Sequence, residues 1–355
     1  MKLFIFIILG LLTSNISYRA SQQDIEFNSL MTQKYMEGVF HGGILYSDSK
    51  GETYQFALGV ANPDIGEILN TKHRFAINSM GKMFTSILIM QLVEEGKLKL
   101  DDTLDKYLPK FKHSKASEIT IHHLLSHRSG LPDYFLNQLR GVIPFGLNQR
   151  EVLEKIISME MDFEPDSAFQ YSNTGYILLA DIIMKYRTGN FEEILTKHIF
   201  SVLGMSQSFV TDKRNMTAYF SSDGSIKYYN DEMDLVGSGQ GSSSLYDMYL
   251  FLSALGSEEL LKPESWELMF TPHSLPSEVP EGAWPPPHQD PYGYGFGLMP
   301  IEVEGKRYTM VGHGGAGYGS NYAGRILGTK KTVVVYDNMM KNPILADVFQ
   351  YVARQ

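Results

Sequence analysis

The chain of 355 residues contains no cysteine. This absence excludes disulfides, thiolate metal sites, a cysteine nucleophile and a lipidated N-terminal cysteine. A chain of this length can depend on its hydrophobic core for stability instead of on covalent cross-links.

Basic clusters are also absent. The chain has 31 Lys and Arg against 40 Asp and Glu, a formal net charge of -9, and no run of basic residues. Because nucleic-acid binding needs a clustered basic surface, nucleic acid is not expected as a partner.

Long apolar runs are missing except at the start, where residues 3–12 are apolar, follow Met1-Lys2 and precede polar residues 13–17. This order is typical of a secretory signal, and the run is shorter than the about 20 residues that span a bilayer. We expect residues 1–20 to be a signal peptide, and the mature chain to be periplasmic or secreted with no stable membrane span. The alternative is a buried N-terminal helix or strand.

Several catalytic and cofactor motifs are missing as well, namely G-x-S-x-G, H-E-x-x-H and G-x-x-x-x-G-K. A G-x-G-x-x-G match does occur at Gly312, Gly314 and Gly317, but a strand pattern follows it, whereas a dinucleotide site needs a helix there. The adjacent pair His122-His123 does not share one helix face. We therefore expect neither a cofactor nor a metal.

Strand patterns lie at both ends of the chain and helical patterns lie between them. The predicted strands are 39–46, 53–60, 74–77, 294–303, 307–311, 321–327 and 332–336. The predicted helices are 79–95 (ended by Gly96), 119–126, 150–159, 174–186, 191–200, 244–255, 263–270 and 343–355. Residues 205–243 and 283–291 are predicted to be loops.

This order predicts an α/β (α+β) fold, with one antiparallel β-sheet built from both chain ends, flanked by helices, and an inserted all-helical lobe. The length exceeds the about 250–300 residues that one core usually supports, which also favours two lobes. We expect one domain over residues 21–355, with an α/β lobe at about 24–100 and 205–355 and a helical lobe at about 101–204. The seam between such lobes is a common place for a site.

Ser79 and Lys82 form an S-x-x-K pattern at a predicted helix start. Residues three apart share a helix face, so the hydroxyl and the amine can meet. A serine becomes nucleophilic when a nearby base takes its proton, and a lysine is such a base when burial keeps it neutral. The pattern also occurs at Ser47 and Lys50 in a predicted turn, and the plain alternative for Ser79 is a helix N-cap.

Two further patterns follow. Tyr171-Ser172-Asn173 precedes a predicted helix, where a phenol can relay a proton and an amide can hold a carbonyl. His313-Gly314-Gly315 enters a predicted strand, where glycines permit close approach to the backbone. Both patterns recur elsewhere, and a half-buried aromatic residue and a glycine-rich bulge are the plain alternatives.

The ordered set at 79, 171 and 313 resembles the serine β-lactamase and penicillin-binding protein family, specifically its class C-like branch. That branch also holds D-alanyl-D-alanine carboxypeptidases, D-aminopeptidases and esterases. Residues 119–132, 169–176 and 294–298 are similar to further segments of the family, and the resemblance covers about residues 25–350.

The resemblance implies that Ser79 is acylated, that Lys82 and Tyr171 transfer protons and that Asn173 contacts the substrate amide. The N–H groups of Ser79 and Ala316, the residue after the two glycines, would form the oxyanion hole. Water then hydrolyses the acyl-enzyme. Whether Lys82 or Tyr171 is the main base stays open.

His313 departs from the family, because many members, β-lactamases especially, have a lysine there. Lysine is a fixed cation, whereas the charge of histidine changes near pH 6.5, so we expect binding of anionic substrates to improve below about pH 6.5. The departure favours hydrolysis of an ester or a D-amino-acid peptide. The alternatives are a β-lactamase or D-alanyl-D-alanine carboxypeptidase and, less favoured, a catalytically dead binding protein. The oligomeric state is not indicated.

Overall fold

The computed structural model describes residues 22–355 except 213, 221–224, 228–234, 240, 282, 284–289, 304, 318 and 340–343. The expected signal peptide, residues 1–20, lies outside the described residues, as do most of the predicted loop 283–291 and part of the predicted loop 205–243. Within the described part of the chain, helices are too short or too polar to cross a membrane.

Strands lie mainly in the first and last parts of the chain, and helices fill its middle. The first part contains α1 (Gln22–Met36), β1 (Gly42–Ser47), β2 (Thr53–Leu58), β3 (Val60–Asn62), β4 (Glu67–Ile68), β5 (Arg74–Ala76) and α2 (Gly81–Glu94). The middle contains α3 (Leu104–Tyr107), α4 (Ile121–Leu125), α5 (Tyr134–Leu139), α6 (Gln149–Ile157), α7 (Asn173–Tyr186), α8 (Phe191–Leu195) and α9 (Ser201–Leu203). The remainder contains β6 (Ser208–Phe209), β7 (Tyr219–Phe220), β8 (Ile226–Lys227), β9 (Ser242–Ser244), α10 (Leu245–Ala254), α11 (Pro263–Met269), β10 (Gly297–Val303), β11 (Lys306–Gly317), β12 (Gly319–Ile326), β13 (Thr332–Asp337) and α12 (Leu345–Arg354).

A six-stranded antiparallel sheet joins the two ends of the chain. Its strand order is β10-β11-β12-β13-β1-β2, and Ile44 of β1 lies opposite Val335 of β13. The segment between the sheet's two halves is mostly helical. The predicted fold class, a sheet from both chain ends with helices inserted between them, is confirmed.

Apolar side chains are buried on both faces of this sheet. On one face, α10 packs against β1 and β13, and α2 and α7 pack against each other in the same cluster, which includes Phe84, Ile177 and Phe251. On the other face, α1 and α12 contribute Phe27 and Val348 to a second cluster. The sequence patterns did not indicate α1, because apart from Phe27 and Met31 its residues are mostly polar or exposed. The sheet thus contributes to two apolar clusters, one on each face.

Three sequence predictions need correction. The helix expected from Ser79 begins at Gly81, and Ser79 lies in a 3₁₀ turn, Asn78–Met80. The strand expected over 307–311 continues to Gly317, so His313 lies inside it. The segment 205–243, expected to be loop, contains β6 and the start of β9, which join β5 in a small sheet ordered β5-β9-β6. That pairing joins segments far apart in sequence, which local patterns cannot reveal.

Strand β11 approaches the turn Asn78–Met80 very closely. A Cβ atom built on Gly315 would lie 2.4 Å from the carbonyl oxygen of Ile77, inside van der Waals contact. By contrast, a Cβ on Gly297 of β10 would lie 3.6 Å from the oxygen of Gly312, an ordinary contact. Gly315 is therefore needed for the backbone of β11 to sit against the turn.

We expect Gly315→Ala to reduce the free energy of unfolding by roughly 1–3 kcal/mol, because the added methyl group forces β11 and the turn apart. Gly297→Ala, the matched control, should change it by less than about 1 kcal/mol. Urea denaturation of both variants measures this. Equal effects would contradict the close approach.

Candidate active site

Ser79 lies on a partly exposed turn held by buried neighbours. Ile77 and Met80 are buried, whereas Ser79 keeps partial exposure. Asn78 has φ +50°, a left-handed conformation that is uncommon for a residue other than glycine. Such strain often accompanies functional sites, where the surrounding structure maintains it.

A glycine-rich segment packs against the other side of this turn. Gly239 has φ +155°, and a Cβ there would lie 2.6 Å from the carbonyl carbon and oxygen of Asn78 and 2.8 Å from the nitrogen of Ser79. Together with Gly315 of β11, this glycine lets two backbone segments enclose the serine. The three-residue turn is therefore fixed from both sides.

Lys82 is fully buried one helical turn after Ser79. Its Nζ lies 3.4 Å from Ser79 Oγ and 2.7 Å from Asn173 Oδ1, and it also donates to the carbonyl oxygen of Ser238. Burial lowers the pKa of Lys82 to about 7, although the negative charge of Asp133 partly opposes this. The amine is therefore neutral in a large fraction of molecules at neutral pH.

The hydrogen bonds of Lys82 also set the direction of its lone pair. A neutral amine has two N–H groups, and the oxygens of Asn173 and Ser238 can accept both of them. The lone pair then remains for the hydroxyl of Ser79. This arrangement can remove the proton from Ser79 as the hydroxyl attacks.

Tyr171 lies beside the same two residues. Lys82 Nζ is 4.7 Å from the centre of its ring. Burial raises the pKa of Tyr171 well above 10, while its hydrogen bond with Ser79 acts in the opposite direction. The phenol therefore keeps its proton at neutral pH and is a proton donor rather than a base.

His127 supports Tyr171, although the sequence analysis gave it no role. Its Nδ1 accepts the N–H of Ser172 at 3.1 Å, and its carbonyl oxygen accepts the N–H of Gln170 at 3.1 Å. Its ring centre lies 4.4 Å from that of Tyr171. His127 has φ +60° and is buried. No local pattern gives this contact, which joins segments more than 40 residues apart.

Asp133 is a second residue that the sequence analysis missed. Its carboxylate is buried and accepts the N–H of Leu136 at 2.8 Å and the N–H of Asn173. Burial raises the pKa of Asp133, while the two N–H donors and the charge of Lys82 lower it. A D-x-x-L pattern before a helix is a common N-cap, so sequence alone gave no reason to single it out.

His313 is buried on β11, and both ring nitrogens have partners. Nδ1 lies 2.5 Å from the oxygen of Gly314, which can only accept, so Nδ1 donates. Nε2 then accepts from the hydroxyl of Tyr292 at 3.0 Å. In this arrangement the ring orients Tyr292 and offers no exposed cation to an anionic substrate. The expected substrate contact and its pH dependence stay predictions.

The residues after His313 lie in the same strand, β11. Gly315 is buried against the turn, whereas Ala316 is exposed and lies opposite Ser320 of β12. The ring centres of Tyr171 and His313 are 6.0 Å apart. The structure thus brings the three sequence motifs together, and the oxyanion pair Ser79 and Ala316 stays a prediction.

The duplicate patterns do not form comparable clusters. Ser47 is buried in β1 and donates to the oxygen of Lys330 at 2.7 Å, while Lys50 is exposed in the following turn. The G-x-G-x-x-G match lies entirely within β11 and is followed by a strand. The pattern of Tyr171 and Asn173, Y-x-N, occurs twice more: residues 228–230 lie outside the described residues, and Tyr336 of the other copy is buried in β13. Within the described ranges, His, Asp and Glu side chains form no group of three suited to a metal ion.

Known proteins are similar to this chain in sequence and in fold. Residues 29–353 match the family described as Beta-lactamase. Penicillin-binding protein 4* of Bacillus subtilis (strain 168) is 28% identical over 330 residues, which cover 84% of this chain and 68% of that protein. The D-aminopeptidase of Brucella anthropi is 30% identical over 295 residues, 78% of this chain and 51% of that protein.

The fold of this chain is also similar to that of a solved structure. The D-amino acid amidase of Ochrobactrum anthropi SV3, complexed with D-phenylalanine, superposes with a TM-score of 0.79, covering 94% of this chain and 98% of that one. Its sequence identity is 21%, so this likeness shows the shared fold alone.

The lowered pKa of Lys82 predicts how the reactivity of Ser79 depends on pH. The rate of labelling by a fluorophosphonate should rise with pH, with a midpoint near 7, because the neutral amine takes the serine proton. Gel-based labelling from pH 5 to 10 measures it. Lys50→Ala should leave the midpoint unchanged. A labelling rate of the wild-type protein that still rises above pH 9 would show that Lys82 has an ordinary lysine pKa, and would contradict this prediction.

Proposed function

Because the chain is a member of the Beta-lactamase family of serine hydrolases, we propose that it hydrolyses an ester or a D-amino-acid peptide bond through an acyl-enzyme on Ser79. The observation that supports this most strongly is the buried Lys82 amine, 3.4 Å from Ser79 Oγ. Activation of a serine hydroxyl requires such a base within reach of its proton.

Acylation begins as Ser79 Oγ attacks the substrate carbonyl carbon and neutral Lys82 takes the hydroxyl proton. The carbonyl oxygen becomes an oxyanion, which the N–H groups of Ser79 and Ala316 would stabilise. A preorganised pair of donors costs no reorganisation during the reaction. In this mechanism Lys82 is the base, because its pKa is lowered while that of Tyr171 is raised.

Collapse of the tetrahedral intermediate breaks the bond to the leaving group. The phenol of Tyr171 donates its proton to the leaving oxygen or nitrogen and is reprotonated from the Lys82 ammonium. In deacylation a water molecule attacks the acyl carbonyl and loses a proton to Lys82. The Lys82 ammonium then returns this proton to Ser79 Oγ as the bond between Oγ and the acyl carbon breaks, which releases the acid. Atoms and protons balance over the cycle, with one water consumed.

Two observations support the proposed substrate class, one from the third motif and one from a relative. His313 replaces the family lysine and is buried with both nitrogens bonded, so it supplies no fixed cation for a substrate carboxylate. The D-aminopeptidase relative supports a D-amino-acid substrate, because it is 30% identical over most of this chain. Small esters and D-amino-acid amides or peptides are therefore the proposed substrates.

A β-lactamase or D-alanyl-D-alanine carboxypeptidase is the second candidate. The specific observation in its favour is the relative named penicillin-binding protein 4*, which covers 84% of this chain. A slow, stable label at Ser79 from fluorescent penicillin, or rapid turnover of nitrocefin, would favour it. No labelling at high penicillin concentration would count against it.

We expect Ser79→Ala and Lys82→Ala each to lower hydrolysis of the preferred substrate by about 10⁴-fold or more, because each removes part of the nucleophile and base pair. A panel of a p-nitrophenyl ester, a D-amino-acid p-nitroanilide and nitrocefin measures rates and the substrate class. Lys50→Ala, which alters the duplicate pattern, is the control and should match wild type. Hydrolysis unchanged in Ser79→Ala would overturn the proposal.

We also propose export to the periplasm or the medium, on the pattern of residues 1–20. In a bacterial host, extracytoplasmic protein should lack these residues, because a signal peptidase removes them. Intact-mass analysis of fractionated cells measures this. Full-length protein found in the cytoplasm alone would contradict export.

A further inference from the structure

We propose that Asp133 is a positioning residue for the proposed reaction. Asp133 holds Asn173 in place, and Asn173 in turn holds the amine of Lys82. This inference rests on the proposed function. It adds to it a buried carboxylate that touches neither the expected substrate nor Ser79.

Asp133 joins the first turns of two helices. Its carboxylate accepts the N–H of Leu136 in α5 at 2.8 Å and the N–H of Asn173, the first residue of α7. Its own carbonyl oxygen accepts from the backbone and side chain of Asn137, at 3.1 and 2.8 Å. The side chain is 3% exposed. The carboxylate is therefore hydrogen-bonded to the first turns of both helices.

Two further hydrogen bonds join the same two segments beside this contact. The hydroxyl of Thr174 donates to the oxygen of Pro132 at 2.7 Å and accepts the N–H of Tyr134 at 2.9 Å. Asn173 is thus held on its backbone by Asp133 and through its neighbour Thr174. A structural cap needs only the bond to α5, so the second bond, to Asn173, is what links Asp133 to the site.

Asn173 is hydrogen-bonded directly to the proposed base, Lys82. Asn173 Oδ1 accepts from Lys82 Nζ at 2.7 Å, and this bond takes one of the N–H groups that would otherwise turn towards Ser79. A shift of the first turn of α7 moves this acceptor and redirects the lone pair. Misplacement of a reacting group by about 1 Å can cost about 10²-fold in rate.

The charge of Asp133 has a second consequence. Burial raises the pKa of Asp133, while the N–H bonds to both oxygens and the charge of Lys82 favour the ionised form. A negative charge nearby favours the ammonium form of Lys82 and so raises the pKa of that amine, against the larger effect of burial. Asp133 therefore limits how far the pKa of Lys82 falls.

Asp133→Asn tests both consequences. The amide removes the charge and turns an N–H donor towards a backbone N–H, so we expect kcat to fall by roughly 10²-fold with a small change in KM. The acid limb of the pH profile of kcat/KM should move to lower pH, because the ammonium of Lys82 loses a stabilising charge. A purely structural cap would lower the Tm and leave the acid limb in place.

Asp247→Asn is the matched control. Asp247 is also 3% exposed and accepts a backbone N–H, that of Gln207 at 2.6 Å, and the hydroxyl of Ser208 at 2.8 Å. It contacts β6 rather than the serine, lysine or tyrosine of the site. Its variant should lower the Tm and keep the wild-type kcat and acid limb.

The measurement is a steady-state pH profile from 5 to 9 with the best substrate of the panel, beside thermal melts. A wild-type acid limb retained in folded Asp133→Asn, or a shift equal to that of Asp247→Asn, would overturn the inference.

If Asp133→Asn does not fold, Asp133→Glu replaces it. The longer side chain keeps the charge, so the acid limb should stay near wild type while kcat falls, and an unchanged kcat would overturn the inference. Absence of Ser79-dependent hydrolysis in wild type would instead contradict the proposed function.

Discussion

Lys82 has an amine with no exposed surface, and burial disfavours its charged form, so its pKa falls to about 7. This single constraint determines the chemistry that the cluster can perform. A lysine with an ordinary pKa would stay protonated and could not take a proton from Ser79. The hydrogen bonds to Asn173 and Ser238 hold the amine in place, and Tyr171 covers it.

The rest of the molecule maintains that burial. The sheet built from both chain ends brings β11 against the turn Asn78–Met80, and Gly239 closes the other side. Four non-glycine residues in the described part of the chain have positive φ, and two of them, Asn78 and His127, flank the nucleophile and the tyrosine. Half of these uncommon backbone conformations therefore lie at the site, where the surrounding packing supports them.

Local sequence patterns were sufficient to predict the helices that carry the motifs. They were insufficient to predict the residues that hold the motif residues in place. The 3.6-residue period located α2 and α7, and the S-x-x-K spacing placed Ser79 and Lys82 within 3.4 Å. His127 and Asp133 escaped notice because each acts across about 40 residues of chain, through contacts that only the tertiary fold creates. The substrate contact expected of His313 stays a prediction, and the sequence did not indicate the bonds of its ring nitrogens to the oxygen of Gly314 and the hydroxyl of Tyr292.

Direct titration of the Lys82 amine tests the central claim. Protein labelled with ¹³C and ¹⁵N at lysine, compared with Lys82→Arg to assign the signal, gives the Nζ titration by NMR. The account predicts a midpoint near pH 7, below the other lysines. A midpoint near 10.4, the ordinary value for lysine, would show that the amine is a cation at neutral pH and would contradict its role as the base.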